Sequence, residues 1–209
     1  MSDNGNDSWV IVSYVTLRRI VGILGVTLPI VLVVGTILVT FNLAVRSSIS
    51  AYYNSVMGPV FAGVLFVVGW FLYAYRGYDR RDDRAGDRAC LFAMGVALFP
   101  HVSATHRWVP WVHYICAALL FLTLAYFSYF LFTLSDQKDP GPRKRKRNAI
   151  YRGCGIAIVV FIVLIGLYNL LGLDKTGLAA LRPVLVLETL ILWAFGLSWF
   201  VKGETLWRD

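Results

Sequence analysis

The sequence predicts an all-α, polytopic transmembrane bundle of six helices. Three observations carry that prediction. Six apolar stretches fill the 209 residues. Hydrophobic residues make up 58% of the chain and charged residues only 15%, against about 25% charged in soluble domains. A soluble fold of this size cannot hide so much apolar surface, so lipid must cover part of it. The basic residues are also shared unequally. Of 20 Lys and Arg, 16 fall in the N-terminal flank (Arg18, Arg19), the 76–88 loop, the 138–152 loop and the C-terminal end (Lys202, Arg208). Arg46, Arg107, Lys175 and Arg182 alone lie in the alternate connections. Short loops rich in Lys and Arg stay cytoplasmic, so both termini are expected in the cytoplasm of a multi-pass protein of the cytoplasmic (inner) membrane.

The chain reads as one domain, 1–209, with no internal repeat. Residues 1–8 are polar and acidic and are expected to be disordered, with no cleavable signal peptide. Residues 9–17 read as an interfacial lead-in. Span 1 is expected at 19–43, long enough for about 30 Å of hydrocarbon, with Pro29 kinking it by removing a backbone donor. The segment RSSISAYYN at Arg46–Asn54 is polar and aromatic and belongs at the outer interface. Span 2 is expected at 57–75, with Trp70, Tyr73, Tyr75 and Tyr78 as its inner aromatic belt. The stretch Arg76–Arg88 alternates Arg with Asp and reads as a solvated, self-paired loop.

Span 3, expected at 87–104, rests on charge. Its uninterrupted apolar run, Ala89–Pro100, is short enough for a re-entrant segment. Without a crossing there, however, the RKRKR run at Arg143–Arg147 would fall on the opposite side from Arg18 and Arg19. Span 4 is expected at 111–134, and the hydrophilic stretch 135–148 is broken by Pro140, Gly141 and Pro142. Span 5 is expected at 149–171. Span 6 is expected at 183–202, opened by Pro183 in a favourable first-turn position. The three cysteines, Cys90, Cys116 and Cys154, suggest neither a disulfide nor a thiolate site and read as buried small residues.

The polar residues that are hard to explain gather on the expected outer side. Glu188 is the single acidic residue placed inside a span, roughly 7–8 Å below the start of span 6 at 1.5 Å per residue. Such a group faces the bundle or water and finds a partner; His113, Arg46 and Arg182 are the candidates. Glu188 and His113 would be the inner anchors of a ligand-binding pocket, with Arg46, Ser48 and Ser50 at the same level and Tyr52, Tyr53, Trp108 and Trp111 lining the rim. The weaker alternative is a metal site of His101, His106, His113 and Glu188, since imidazole and carboxylate suit zinc. Their spacing matches no ligand motif. The basic run Arg143, Lys144, Arg145, Lys146 and Arg147 reads as a topology signal in contact with anionic lipid.

Four phrases then gain weight together: SYVTLRR at Ser13–Arg19, SISAYY at Ser48–Tyr53, ALFP at Ala97–Pro100 followed by His113, and RNAIYR at Arg147–Arg152. They resemble uncharacterised bacterial six-helix integral membrane proteins. More distantly, the layout is similar to the damage-regulated autophagy modulator family and its yeast relatives. There a serine-containing outer segment precedes span 2, span 3 ends in a Phe-Pro-like step and a histidine opens span 4. Ser50, Phe99, Pro100 and His113 match that pattern. The resemblance implies a non-enzymatic membrane protein linked to lipid organisation. The HxxxH pair of alkaline ceramidase-like hydrolases is not met.

The leading expectation is therefore a membrane protein of non-enzymatic type that binds a lipid or small amphiphile in an outward-facing polar pocket, with no cofactor. The alternatives are a membrane-embedded hydrolase or transferase dependent on zinc, and a small-solute transporter. The transporter ranks lower because one span alone carries a deep charge and no inverted repeat is visible. The expected partners are membrane lipids, with a second copy or a protein partner left open. Nucleic acid is not expected: the net charge of +8 sits in short loops rather than on a folded basic domain.

Overall fold

The computed structural model describes residues 6–76, 80–134 and 141–203, with side chains from Tyr14 onward. Six helices, and no strand among the described residues, make up the chain: α1 Asn6–Thr40, α2 Gly58–Ala74, α3 Arg80–Leu98, α4 Val109–Tyr126, α5 Pro142–Leu170 and α6 Pro183–Lys202. Proline opens α2, α4, α5 and α6, where its missing N–H costs no helical bond. Alpha geometry loosens to one π turn at Phe127–Leu131, which prolongs α4. Four helices are long and apolar enough to cross a bilayer: Tyr14–Thr40, Val109–Leu131, Pro142–Leu170 and Pro183–Lys202. Aliphatic side chains face outward along them, as on α5 with Ile156, Val160 and Val163. This is the surface of a membrane protein.

Several boundaries depart from the sequence reading. Residues 9–17 are not a separate lead-in: α1 begins at Asn6 and continues through Pro29 to Thr40. Of the segment expected to be disordered, residues 1–5 lie outside the described residues and 6–8 belong to α1. The stretch 80–88, expected as a loop, is the first half of α3, and the helix stops at Leu98 rather than 104. The buried face of α3 explains this. Asp82, Ala85, Gly86, Ala89, Ala93, Val96 and Ala97 recur at three- and four-residue spacing, which places them on one side of a helix. Gly86 sits against the Leu72 carbonyl of α2, so no side chain fits there. Arg76 pairs with Asp87 at 3.3 Å and Asp83 at 3.9 Å, the self-pairing expected of this stretch. Helix α5 likewise starts at Pro142, so the RKRKR run is helical.

The helix ends collect at two opposite ends of the bundle. At the basic end, Arg19 Nε of α1 donates to the carbonyl of Gly203 just past α6, at 3.1 Å. Here Tyr75, Phe127, Phe132, Tyr151 and Trp199 interlock edge to face, with centroids 5.2–6.4 Å apart, a geometry that aromatic quadrupoles favour. Helices α1 and α6 approach closely through glycine: a Cβ on Gly196 would stand 2.9 Å from the Gly22 carbonyl. Small residues at such crossings are the membrane form of tight packing. At the opposite end lie the stretch 41–57, the 3-10 turn Ser50–Asn54, residues 99–108 and the connection 171–182.

Candidate functional site

Glu188 enters from the second turn of α6. It is nearly buried, at 9% exposed, and a carboxylate there must find donors. The structure supplies them from the chain that joins α1 to α2. Ile49 N–H donates to Glu188 at 2.5 Å, and Ser50 Oγ donates at 3.3 Å. One turn earlier, Leu185 N–H of α6 donates to the Ser47 carbonyl at 3.1 Å. Three bonds thus fix residues 47–50 to α6. The partners expected for Glu188 (His113, Arg46 and Arg182) are not the ones it takes.

His113 does the same work for another segment. It is fully buried in the second turn of α4, and Nδ1 lies 2.7 Å from the Phe99 carbonyl. A carbonyl only accepts, so Nδ1 carries the proton. Tyr114 OH donates to the His101 carbonyl at 3.2 Å. Residues 99–101 are therefore tied to α4 just as 47–50 are tied to α6. The His101 and His113 rings lie 6.1 Å apart. Burial, together with the neighbouring His113, holds the His101 imidazole below the ordinary value of 6.5, so it is neutral at pH 7.

The remaining expected site residues divide among several roles. Ser48 Oγ accepts from Ala51 N–H at 3.0 Å, a local bond at the start of the 3-10 turn. Tyr52 is fully buried, and its hydroxyl accepts from Arg46 N–H at 3.3 Å, so it is core rather than rim. Tyr53 OH donates to the Leu98 carbonyl. Trp108 and Trp111 are exposed, as a rim requires. His106 is exposed beside Trp108. The set His101, His106, His113 and Glu188 is not gathered, and among the described residues no three His, Cys, Asp or Glu are placed to hold a metal ion.

Two cavities stand out among the described residues. One is an open vestibule of about 800 Å³ at the end opposite the basic one, lined by Arg46, Ser47, Asn54, His101 and Arg182 among others, with no acidic residue in its wall. Arg182 is the residue before Pro183, and its φ of 50° lies in the left-handed region. That conformation costs a non-glycine residue roughly 1–2 kcal/mol. The second cavity is a narrow slot along the bundle axis, walled by α1, α2, α3, α4 and α6. Its upper end carries Ile49, Ser50 and Glu188, and the rest of its wall is apolar. Glu188 and Ser50 therefore belong to the slot, Arg46 belongs to the vestibule, and His113 lines neither.

The basic end holds a cluster that the sequence reading missed. Arg143, Arg145 and Lys146 are exposed. Lys144 and Arg147, grouped with them as lipid contacts, turn inward instead. Lys144 Nζ donates to the Phe132 and Leu134 carbonyls at 3.2 and 3.1 Å. Arg147 donates to Tyr151 OH and to the Val201 carbonyl, both at 3.3 Å. The two cations thus satisfy carbonyls where α4 and α6 end, where the helix dipole favours positive charge. Arg18 lies over the Tyr75 ring and Lys202 over Phe132, each at 5.5 Å. Asp82, fully buried, supplies an opposite charge near Lys202. The Arg147–Tyr151 spacing of four was the one signal of this cluster in the sequence. The chain matches no protein-family model, no curated protein and no solved structure.

Proposed function

We propose that this chain crosses the cytoplasmic (inner) membrane six times with both termini inside, and that it binds the anionic head of a lipid or small amphiphile in the outward vestibule. The observation that carries the reading is the pairing of Arg46 and Arg182 in one open cavity whose wall has no carboxylate. Two arginines lining a shared space favour an anion, and Arg suits phosphate, sulfonate and carboxylate through its planar donor fork. A strained backbone at Arg182 is the kind of cost that collects at binding sites. Support for the topology comes from the end at which Arg18, Arg19, Arg147 and Lys202 gather, because basic residues mark the cytoplasmic side. On this reading α2 and α3, too short or too charged to count as spans by themselves, cross as a tightly packed hairpin. The resemblance stated for Ser50, Phe99, Pro100 and His113 fits a lipid-linked role. Those residues lie at the two segments pinned to α6 and α4.

The binding test uses purified protein in nanodiscs and octyl sulfonate, an anionic amphiphile of constant charge, with binding read by calorimetry. Arg46→Ala combined with Arg182→Ala is expected to weaken binding by at least tenfold, since a charge-assisted hydrogen bond contributes about 1.5–3 kcal/mol. Equal binding by the double variant overturns the reading. For topology, single cysteines at Arg80 and Arg143 should react with a membrane-impermeant maleimide from one side and a cysteine at Lys175 from the other. Labelling of the first two from opposite sides overturns the six-span arrangement.

A further inference from the structure

The two cavities meet on opposite sides of one short segment. Arg46, Ser47 and Ala51 line the vestibule, while Ile49 and Ser50 line the slot. The segment is reached from α1 through the non-helical stretch 41–46. On the core side it is held by the three bonds to α6 described above, two of them made by Glu188. Ile49, 4% exposed, fills the upper end of the slot. Below it the slot descends past Leu28, Val64 and Leu120 to Leu124 and Phe195. From Glu188 to Phe195 is seven residues of helix, roughly 10 Å. The water-accessible volume is about 50 Å³. Drawn out over that length, it leaves room for no more than one methylene chain abreast. Apart from Glu188 and Ser50 at the top, nothing in its wall offers a polar partner, so an alkyl chain is the occupant its chemistry suits.

We propose that residues Ser47–Ser50 form a gate between vestibule and slot, latched by Glu188, and that the slot takes the alkyl chain of a single-chain anionic amphiphile whose head rests on Arg46 and Arg182. This rests on the anion-binding reading of the vestibule and adds the ligand class and its entry route. Displacing Ile49 joins the two cavities. Glu188 then stands at the mouth of the slot. A two-chain phospholipid does not fit a slot one chain wide.

The test uses the full chain in nanodiscs and a series of n-alkyl sulfonates from six to twelve carbons, each corrected for uptake by empty nanodiscs. Affinity is expected to rise about fourfold per methylene and to level off at about eight carbons, the length a slot of roughly 10 Å accepts. Ala117 lines the slot from α4, and Ala117→Leu, which fills it, should flatten the series toward the affinity that the sulfonate head alone provides. Val96→Ile serves as a second filling variant should the first not yield monodisperse protein. Ile49→Ala, which trims the gate, should strengthen ten-carbon binding at least threefold. A series without chain-length dependence, or one whose slope survives slot filling, overturns the slot. Unchanged ten-carbon binding in Ile49→Ala overturns the gate. Absence of any sulfonate binding by the unmodified chain, or binding that survives loss of both arginines, sinks the vestibule reading instead.

Discussion

Glu188 and Ile49 stand 139 positions apart and are joined by one hydrogen bond, from the Ile49 amide to a Glu188 carboxylate oxygen. That bond ties the stretch between α1 and α2 to the second turn of α6. It also gives a buried carboxylate the donor it needs, since an unmade bond at such a site costs more than a made one contributes. Replacing Glu188 with Leu strands the Ile49 amide and the Ser50 hydroxyl together. The expected loss is about 1–3 kcal/mol, a fall in Tm of roughly 2–12 °C at about 2–4 °C per kcal/mol for a chain of this size. Glu188→Gln keeps an acceptor for the amide and should lose less than half as much. Thermal unfolding of the two purified variants checks this, and an unchanged Tm for Glu188→Leu contradicts the latch.

Arg182 separates stability from binding. Its left-handed backbone is costly for arginine and free for glycine. Arg182→Gly should therefore raise Tm by roughly 2–4 °C, from about 1 kcal/mol of relieved strain, while weakening octyl sulfonate binding by at least threefold. Stability and affinity move in opposite directions, which a general packing defect would not produce. A lower Tm in Arg182→Gly rules out the strain argument.

His101 makes anion binding depend on pH. Burial and the neighbouring His113 hold its pKa below 6.5, so the imidazole is neutral at pH 7. Arg46 and Arg182 line the same vestibule, and a bound anion favours the protonated ring. As the pH falls below 6.5, His101 gains charge and sulfonate affinity should rise, with no change above about pH 7.5. Stability moves the other way. The unfolded histidine takes up its proton first as pH falls through 6.5, so folding free energy is full above that value and declines beneath it. His101→Gln should flatten the affinity profile between about pH 7.5 and 5.5. A profile that keeps its slope in that variant assigns the dependence elsewhere.

The sequence shows the apolar helices of this bundle more readily than its polar contacts. Span 6 was legible to the residue, because Pro183 and Lys202 bracket an unbroken apolar run. Glu188 stood out for the same reason. Its partner did not, because the donor is the backbone amide of Ile49, and every residue other than proline carries one. Helix α3 was misread through residues 80–88 because alanine and glycine make a packing face without raising hydropathy. The arginines and aspartates between them read as loop. His113 was expected to meet Glu188 from its depth alone, yet depth leaves rotation about the helix open. The Phe99 carbonyl, close in sequence to the turn before α4, holds it instead.

The basic run at the start of α5 offers the sharpest contrast between neighbours of one kind. Arg143 and Arg147 are a turn apart in composition and charge, yet Arg143 is exposed and Arg147 is 6% exposed. Arg147 donates to the Val201 carbonyl at the end of α6 and to Tyr151 OH. Removing it leaves that carbonyl and hydroxyl short of a donor where water does not reach, at about 1.5–3 kcal/mol for a hydrogen bond to a charged group. Arg147→Met keeps most of the volume and should still lower Tm by roughly 4–8 °C. Arg143→Met should stay within about 0.5 kcal/mol of the unmodified chain, the usual range for exposed sites. Its effect should instead appear as weaker binding of the protein's basic face to anionic vesicles, by about 1 kcal/mol per cation at low salt. Comparable Tm losses in the two variants would show that position along the run, rather than inward capping of α6, sets the role of these cations.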